Sequence, residues 1–247
     1  VIKRIQHINI ITGLFLGILS CKNDDNLAIA DDSLASLIKD NTFNVDNVIA
    51  CASGSANATE IIAYVYPRPG ATDIRYYETV SVDDDKNDYQ KYSQVSIEST
   101  DFFNGYLKKF TRTTAEEKWV IITFFENNEL HLSNPIRLKH LTKPTEFSNN
   151  VMVNSMEEGM PVFTWGNGVF EDNKIYFQII SDISNELLSG TYTFEKQFQY
   201  YKLDNVVLNI TQEPPPELDA MNQYDFTLMG VSEDNWVNLF IEKSFTP

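Results

Sequence analysis

Apolar and polar positions divide the chain into three regimes. The first is an apolar run from Ile8 to Leu19, preceded by Lys3 and Arg4. Its 12 residues fall short of the ~20 that cross a bilayer as a helix. A basic start, a short apolar segment and a small residue before a cut describe a secretory leader, residues 1–20. The second regime, 21–45, is polar and acidic, with one weak helical pattern at Leu34, Leu37 and Ile38, and reads as a tether. The third begins near residue 46. Val48 to Ala52, Ile61 to Tyr66, Ile74 to Thr79, Gln94 to Ile97, Tyr106 to Arg112, Trp119 to Phe125 and Ile136 to Leu138 are short runs rich in β-branched and aromatic residues. Turn residues such as Pro69-Gly70, Asn104-Gly105 and Asn127-Asn128 separate them. Strands of this length and spacing, each burying one face, predict an antiparallel sandwich over 46–140.

Leu141 to Phe147, with Pro144, breaks the pattern and predicts a linker over 141–154. Strand patterns resume with Phe163 to Trp165, Lys174 to Asp182, Gly190 to Phe194 and Asn205 to Ile210. In the last of these, Val206, Leu208 and Ile210 fall on one face. The run Tyr224 to Ser232 follows. A second sandwich over 155–247 is therefore expected, and the fold class is all-β with two tandem sandwiches.

Three resemblances refine this picture. Ile18-Leu19-Ser20-Cys21 resembles a bacterial lipobox. The resemblance implies acylation of Cys21, which becomes the mature N-terminus and anchors the chain by lipid to the bacterial outer membrane. Two or more acyl chains hold a protein on a membrane where one does not. An ordinary leader with an incidental cysteine is the competing reading. Lys22-Asn23-Asp24-Asp25 resembles an acidic export tag that sends lipoproteins to the outward face, and Asp32-Ser33-Leu34 resembles an O-glycosylation signal. In the second sandwich, Leu218 six residues before Tyr224, with Trp165 about 60 residues earlier, resembles the tyrosine corner and core tryptophan of a fibronectin type III module. Ala220 and Met221 stand where that family has proline and glycine. Ser133-Asn134-Pro135-Ile136 resembles the lead-in to that module's last strand, while the first sandwich as a whole is expected to be immunoglobulin-like.

Composition narrows the function. Removing Lys3 and Arg4 with the leader takes the formal net charge from -16 to -18, which argues against nucleic acid as a partner. Hydrophobic residues at 43% and aromatics at 13% argue for packed cores. Cys51 is the one cysteine besides Cys21, which rules out a disulfide framework within the mature chain and leaves Cys51 as a small core residue. His131 and His140 stand in no zinc-binding spacing, and no nucleophile elbow or phosphate-cradling loop occurs. Asp83, Asp85 and Asn87 alternate as calcium ligands do, but Asp88 and Gln94 occupy the positions where an EF-hand needs glycine and glutamate. They remain a weak calcium candidate beside the reading as a solvated loop. No cofactor is expected. Tyr76, Tyr77, Tyr200, Tyr201 and Trp236 are candidate ligand-stacking aromatics.

These features point to a non-catalytic, surface-exposed lipoprotein that binds an envelope or extracellular partner, protein or glycan, through its sandwiches. The alternatives are a glycan-binding accessory lipoprotein of a polysaccharide-uptake system and a hydrolase with an unrecognised carboxylate pair. Metabolic labelling with a palmitate analogue is expected to mark the wild-type product and not Cys21→Ala. An unlabelled wild type free in the medium or cytosol would contradict the anchor.

Overall fold

This computed structural model describes residues 32–211 and 213–247. The lipobox with Cys21, the tag-like stretch and the first part of the expected tether lie outside the described residues. A short helix, α1 (Leu34–Lys39), leads into strands β1 (Phe43–Val48), β2 (Ala50–Gly54), β3 (Glu60–Val65), β4 (Thr72–Glu78), β5 (Ser93–Val95), β6 (Thr100–Phe102), β7 (Leu107–Thr113), β8 (Trp119–Glu126), β9 (Glu129–Ser133) and β10 (Ile136–Arg137). One sheet runs β1-β9-β8-β4-β5, with β10 also on β8; the facing sheet runs β2-β3-β7-β6. The second half holds β11 (Glu146–Ser148), β12 (Val151–Asn154), β13 (Val162–Trp165), β14 (Asn173–Asp182), β15 (Leu187–Thr193), β16 (Gln197–Gln199), β17 (Val206–Asn209), β18 (Tyr224–Ser232) and β19 (Val237–Phe245). Its sheets run β11-β19-β18-β14-β15-β17 and β12-β13-β16.

Both halves open in the same way. A first strand lies parallel to the closing hairpin strand, β1 on β9 and β11 on β19. The chain then crosses to the facing sheet and pairs antiparallel, β2 on β3 and β12 on β13. With this strand order the protein is two tandem immunoglobulin-like β-sandwiches. No helix among the described residues is long and apolar enough to cross a membrane.

The expected tryptophan and tyrosine corner are both present in the second sandwich. Trp165 is buried on β13 against Tyr176, and the Tyr224 hydroxyl accepts a hydrogen bond from the Asp219 amide at 2.9 Å above buried Leu218. Four expectations need correction. Residues 33–45 are not all tether: Ser33 caps α1 by accepting from the Ser36 amide, and Leu34 is fully buried against the first sheet. A buried capping hydroxyl is a poor glycosylation acceptor in the folded chain. The stretch expected as linker, 141–154, supplies β11 and β12, short strands defined by their pairing. Ser133-Asn134-Pro135 does not start the last strand of the first sandwich but interrupts it, because β9 has already formed a hairpin with β8 through Asn127 and Asn128, both at positive φ. In β17, Leu208 is exposed while Val206 is half-buried, since the pairing with β15 shifts register at Tyr192/Thr193.

The sheets stack in four layers with an apolar cluster in each gap. Ile61, Ala63, Val65, Phe110, Ile122 and Phe124 fill the first sandwich, and Phe163, Trp165, Ile180, Phe226, Leu228 and Ile241 fill the second. Between the sandwiches lies a third cluster. Cys51, Tyr64, Tyr66 and Leu107 from the first half pack on Phe177, Ile179, Tyr192, Met229 and Phe240 from the second. The two sandwiches are therefore joined face to face along a buried seam. Burial pushes the Cys51 thiol up to about 12, which keeps it protonated and inert.

The turn between β18 and β19 fastens this seam. Asn235, at φ 61, lets the tip fold over, and Trp236 enters the core of the first sandwich, where it is fully buried. Its indole Nε1 donates to the Lys143 carbonyl at 2.8 Å. Beside it the Ala52 amide donates to the Asn235 carbonyl (3.1 Å), the Arg137 amide to the Asp234 carbonyl (2.9 Å), and Lys139 pairs with Asp234 (2.6 Å). Thr145 completes the joint: its hydroxyl donates to the Val237 carbonyl and accepts from the Gly54 amide, both at 2.8 Å. Trp236→Ala is expected to lower the unfolding free energy by about 3–5 kcal/mol. Trp236→Phe keeps most of the apolar volume but loses the bond to Lys143, and is expected to cost about 1–2 kcal/mol. Urea unfolding of both variants measures this; two losses below about 0.5 kcal/mol, the range of ordinary surface substitutions, would show that the hairpin only rests on the first half.

Candidate functional site

A cleft of about 580 Å³ lies between the two sandwiches, where the seam meets solvent. That volume is in the range of small-ligand and peptide-anchor sites. Its first wall is Tyr66, just beyond β3, and Tyr106, just before β7. Tyr66 is placed by its amide bond to the Ile49 carbonyl, after which Pro67 and Pro69 turn the chain away. Tyr106 follows a tight turn in which Phe103, Asn104 and Gly105 all have positive φ. The two rings stack with centroids 5.9 Å apart and planes 17° apart.

Both phenols reach across the seam to one atom. The Tyr66 and Tyr106 hydroxyls donate to the Ile210 carbonyl at 3.3 and 3.0 Å. Burial pushes both phenols above the ordinary tyrosine value, which keeps them protonated as these bonds require. Ile210 is seated beside Gly190, where an added Cβ would lie 2.8 Å from the Ile210 Cγ1. A side chain at position 190 would collide with the Ile210 side chain and force it to shift.

The opposite wall comes from the second sandwich. Leu187 and Leu188 begin β15 after a turn in which Asp182 Oδ1 accepts from the Ser184 and Glu186 amides (2.8 and 2.9 Å). Pro214 and Pro216 lie on the loop that follows β17. That loop is pinned at its far end, because Tyr200 donates to the Pro216 carbonyl at 2.6 Å and the tyrosine corner holds Leu218. Glu186 and Glu213 stand exposed on this wall, and Asn104 of the first sandwich donates to Glu186 Oε2 at 3.1 Å. Among the described residues no Lys, Arg or His contributes to the lining. Arg68, between the two prolines, is turned toward Glu126 and the Asn47 carbonyl.

The candidate residues read from the sequence fall elsewhere. Tyr76 and Trp236 are in the core of the first sandwich, Tyr77 is covered on the outer face by α1, and Tyr200 is in the core of the second. These four are at most 1% exposed, so they offer no stacking face. Tyr201, at 40% exposure, stands apart from the cleft. Tyr76 and Tyr77 put their rings on opposite faces of β4, and both faces are covered, one by the facing sheet and the other by α1, while Tyr200 and Trp236 are drawn into cores from loop positions. Asp83, Asp85 and Asn87 share an exposed loop, where Asp85 accepts from the Asn87 amide at 2.9 Å. Among the described residues no group of three or more His, Cys, Asp or Glu side chains is placed to hold a metal ion. His131 lies within β9, buried against Phe124, and His140 Nε2 faces the Thr114 carbonyl at 3.2 Å. Tyr66 and Tyr106 themselves were read only as strand residues. Their stacking was not legible, because 40 residues separate them.

No protein-family model matches the chain, and no curated protein matches it in sequence. Among solved structures, the chicken CNTN1 FN1-FN3 domains align with 84% of this chain and 66% of their own length, at 10% identity and a TM-score of 0.29. This chain thus spans just under two thirds of that neighbour. The assignment to immunoglobulin-like sandwiches rests on the strand order and pairing described above.

Proposed function

We propose that the protein is a non-catalytic binding lipoprotein, held by Cys21 on the outward face of the bacterial outer membrane, whose seam cleft receives an envelope or extracellular protein partner. The observation that carries this reading is the cleft itself, built by both sandwiches and fixed where two tyrosine hydroxyls converge on the Ile210 carbonyl. Its walls of tyrosine, proline and leucine suit the burial of a partner's apolar groups. A mobile active-site loop is not needed for such a role; loops presented on a rigid scaffold suffice. The glycan reading loses support because four of the five rings on which it depended are buried and the fifth, Tyr201, stands apart from the cleft.

A photo-cross-linking residue tests the site directly. Incorporated at Pro69, on the cleft rim, it is expected to trap one discrete adduct on intact cells. At Met152, exposed on β12 and away from the cleft, it is expected to trap none. Adducts at both positions, or none at Pro69, would overturn the assignment of the cleft as the binding site.

A further inference from the structure

We propose that the occupant of the cleft is an extended, proline-containing peptide segment with a lysine or arginine beside its prolines. This rests on the cleft being the binding site and adds the chemistry that the site selects.

The first argument is the balance of donors and acceptors. The two phenol protons in the cleft are already given to the Ile210 carbonyl, and the Thr211 hydroxyl is given to Asn209 Oδ1. The charged groups that line the opening, Glu186 and Glu213, only accept. A sugar brings many hydroxyls that each need donors as well as acceptors, and its desolvation would go uncompensated here. An anionic ligand would meet two carboxylates and, among the described residues, no cation in the lining. A cationic side chain finds acceptors at the rim, and the formal net charge of -16 draws it there from solution.

The second argument is shape and order. The walls are flat and stiff: stacked tyrosines on one side, Pro214 and Pro216 on the other. An aromatic and prolyl groove favours a polyproline II segment, which is extended before it binds and loses little conformational entropy. Apolar contact in the groove with a basic residue at an acidic rim supplies both affinity and direction.

The test uses the full chain on two immobilised heptapeptide arrays. One holds proline at positions two and five with all other positions randomised; the other replaces those prolines by alanine. The expected result is enrichment of Lys and Arg on the proline array, at least tenfold weaker signal on the alanine array, and weakening by salt. Glu213→Lys and the double variant Glu186→Lys/Glu213→Lys, both at exposed positions, are expected to lose the basic preference while retaining the circular dichroism of the wild type. Enrichment of acidic or uncharged sequences, equal signal on the two arrays, or an unchanged preference in both variants would overturn the proposal. An array without enrichment, together with an adduct at position 69, would reject the peptide chemistry and leave the cleft as the binding site. Failure of both would remove the site as well.

Discussion

A β-sheet that carries apolar side chains on both faces must be covered twice, and an ordinary sandwich covers each sheet once. The inner sheets of this protein meet that condition on both sides of the seam. In β3, Ile61, Ala63 and Val65 point into the first core, while Tyr64 and half-buried Ile62 point the other way. In β14, Tyr176 and Ile180 point into the second core, while Phe177 and Ile179 oppose the first sandwich. Either sandwich alone would leave a sheet-wide apolar face in water, a patch of the kind that soluble monomers avoid. The seam removes both faces at once.

From that joint follow the positions of the rest. The turn carrying Trp236 is aimed at the first core because β18 and β19 are held against the seam, and Thr145 ties both halves where the chain crosses. The cleft is the unfilled rim of the same contact, and beside it the Ile210 carbonyl belongs to one sandwich while the hydroxyls on it belong to the other. A site assembled in this way keeps its geometry only as long as the seam is closed. The shape of the cleft and the stability of the fold are in this respect the same property.

The second sandwich was the more legible in sequence. Leu218 and Tyr224 carry a contact that needs a fixed spacing, and the structure places both as that spacing requires. The strands with strong β-branched or aromatic content were also visible. β1, β6, β9, β11, β12 and β16 were not, because they are short or polar and are defined by backbone pairing, in β1 and β11 to neighbours far along the chain. The seam left a mark that alternation alone did not convey. The runs Ile175 to Ile180 and Phe226 to Val231 are apolar at nearly every position, as strands buried on both faces are, rather than at every second one. Trp236 follows Glu233-Asp234-Asn235 and so looks like an exposed loop aromatic; only the neighbouring sandwich makes it a core residue. The cleft draws on Tyr66, Tyr106, Leu187 and Pro214 with their neighbours, and no local pattern joins such distant pieces.

The central claim is that the two sandwiches form one cooperative unit through the seam. Scanning calorimetry tests it most directly, because independent domains melt as separate transitions while a single unit gives equal van't Hoff and calorimetric enthalpies. The account predicts one transition with a ratio near one. Two resolved transitions, each with the enthalpy of about half the chain, would contradict it.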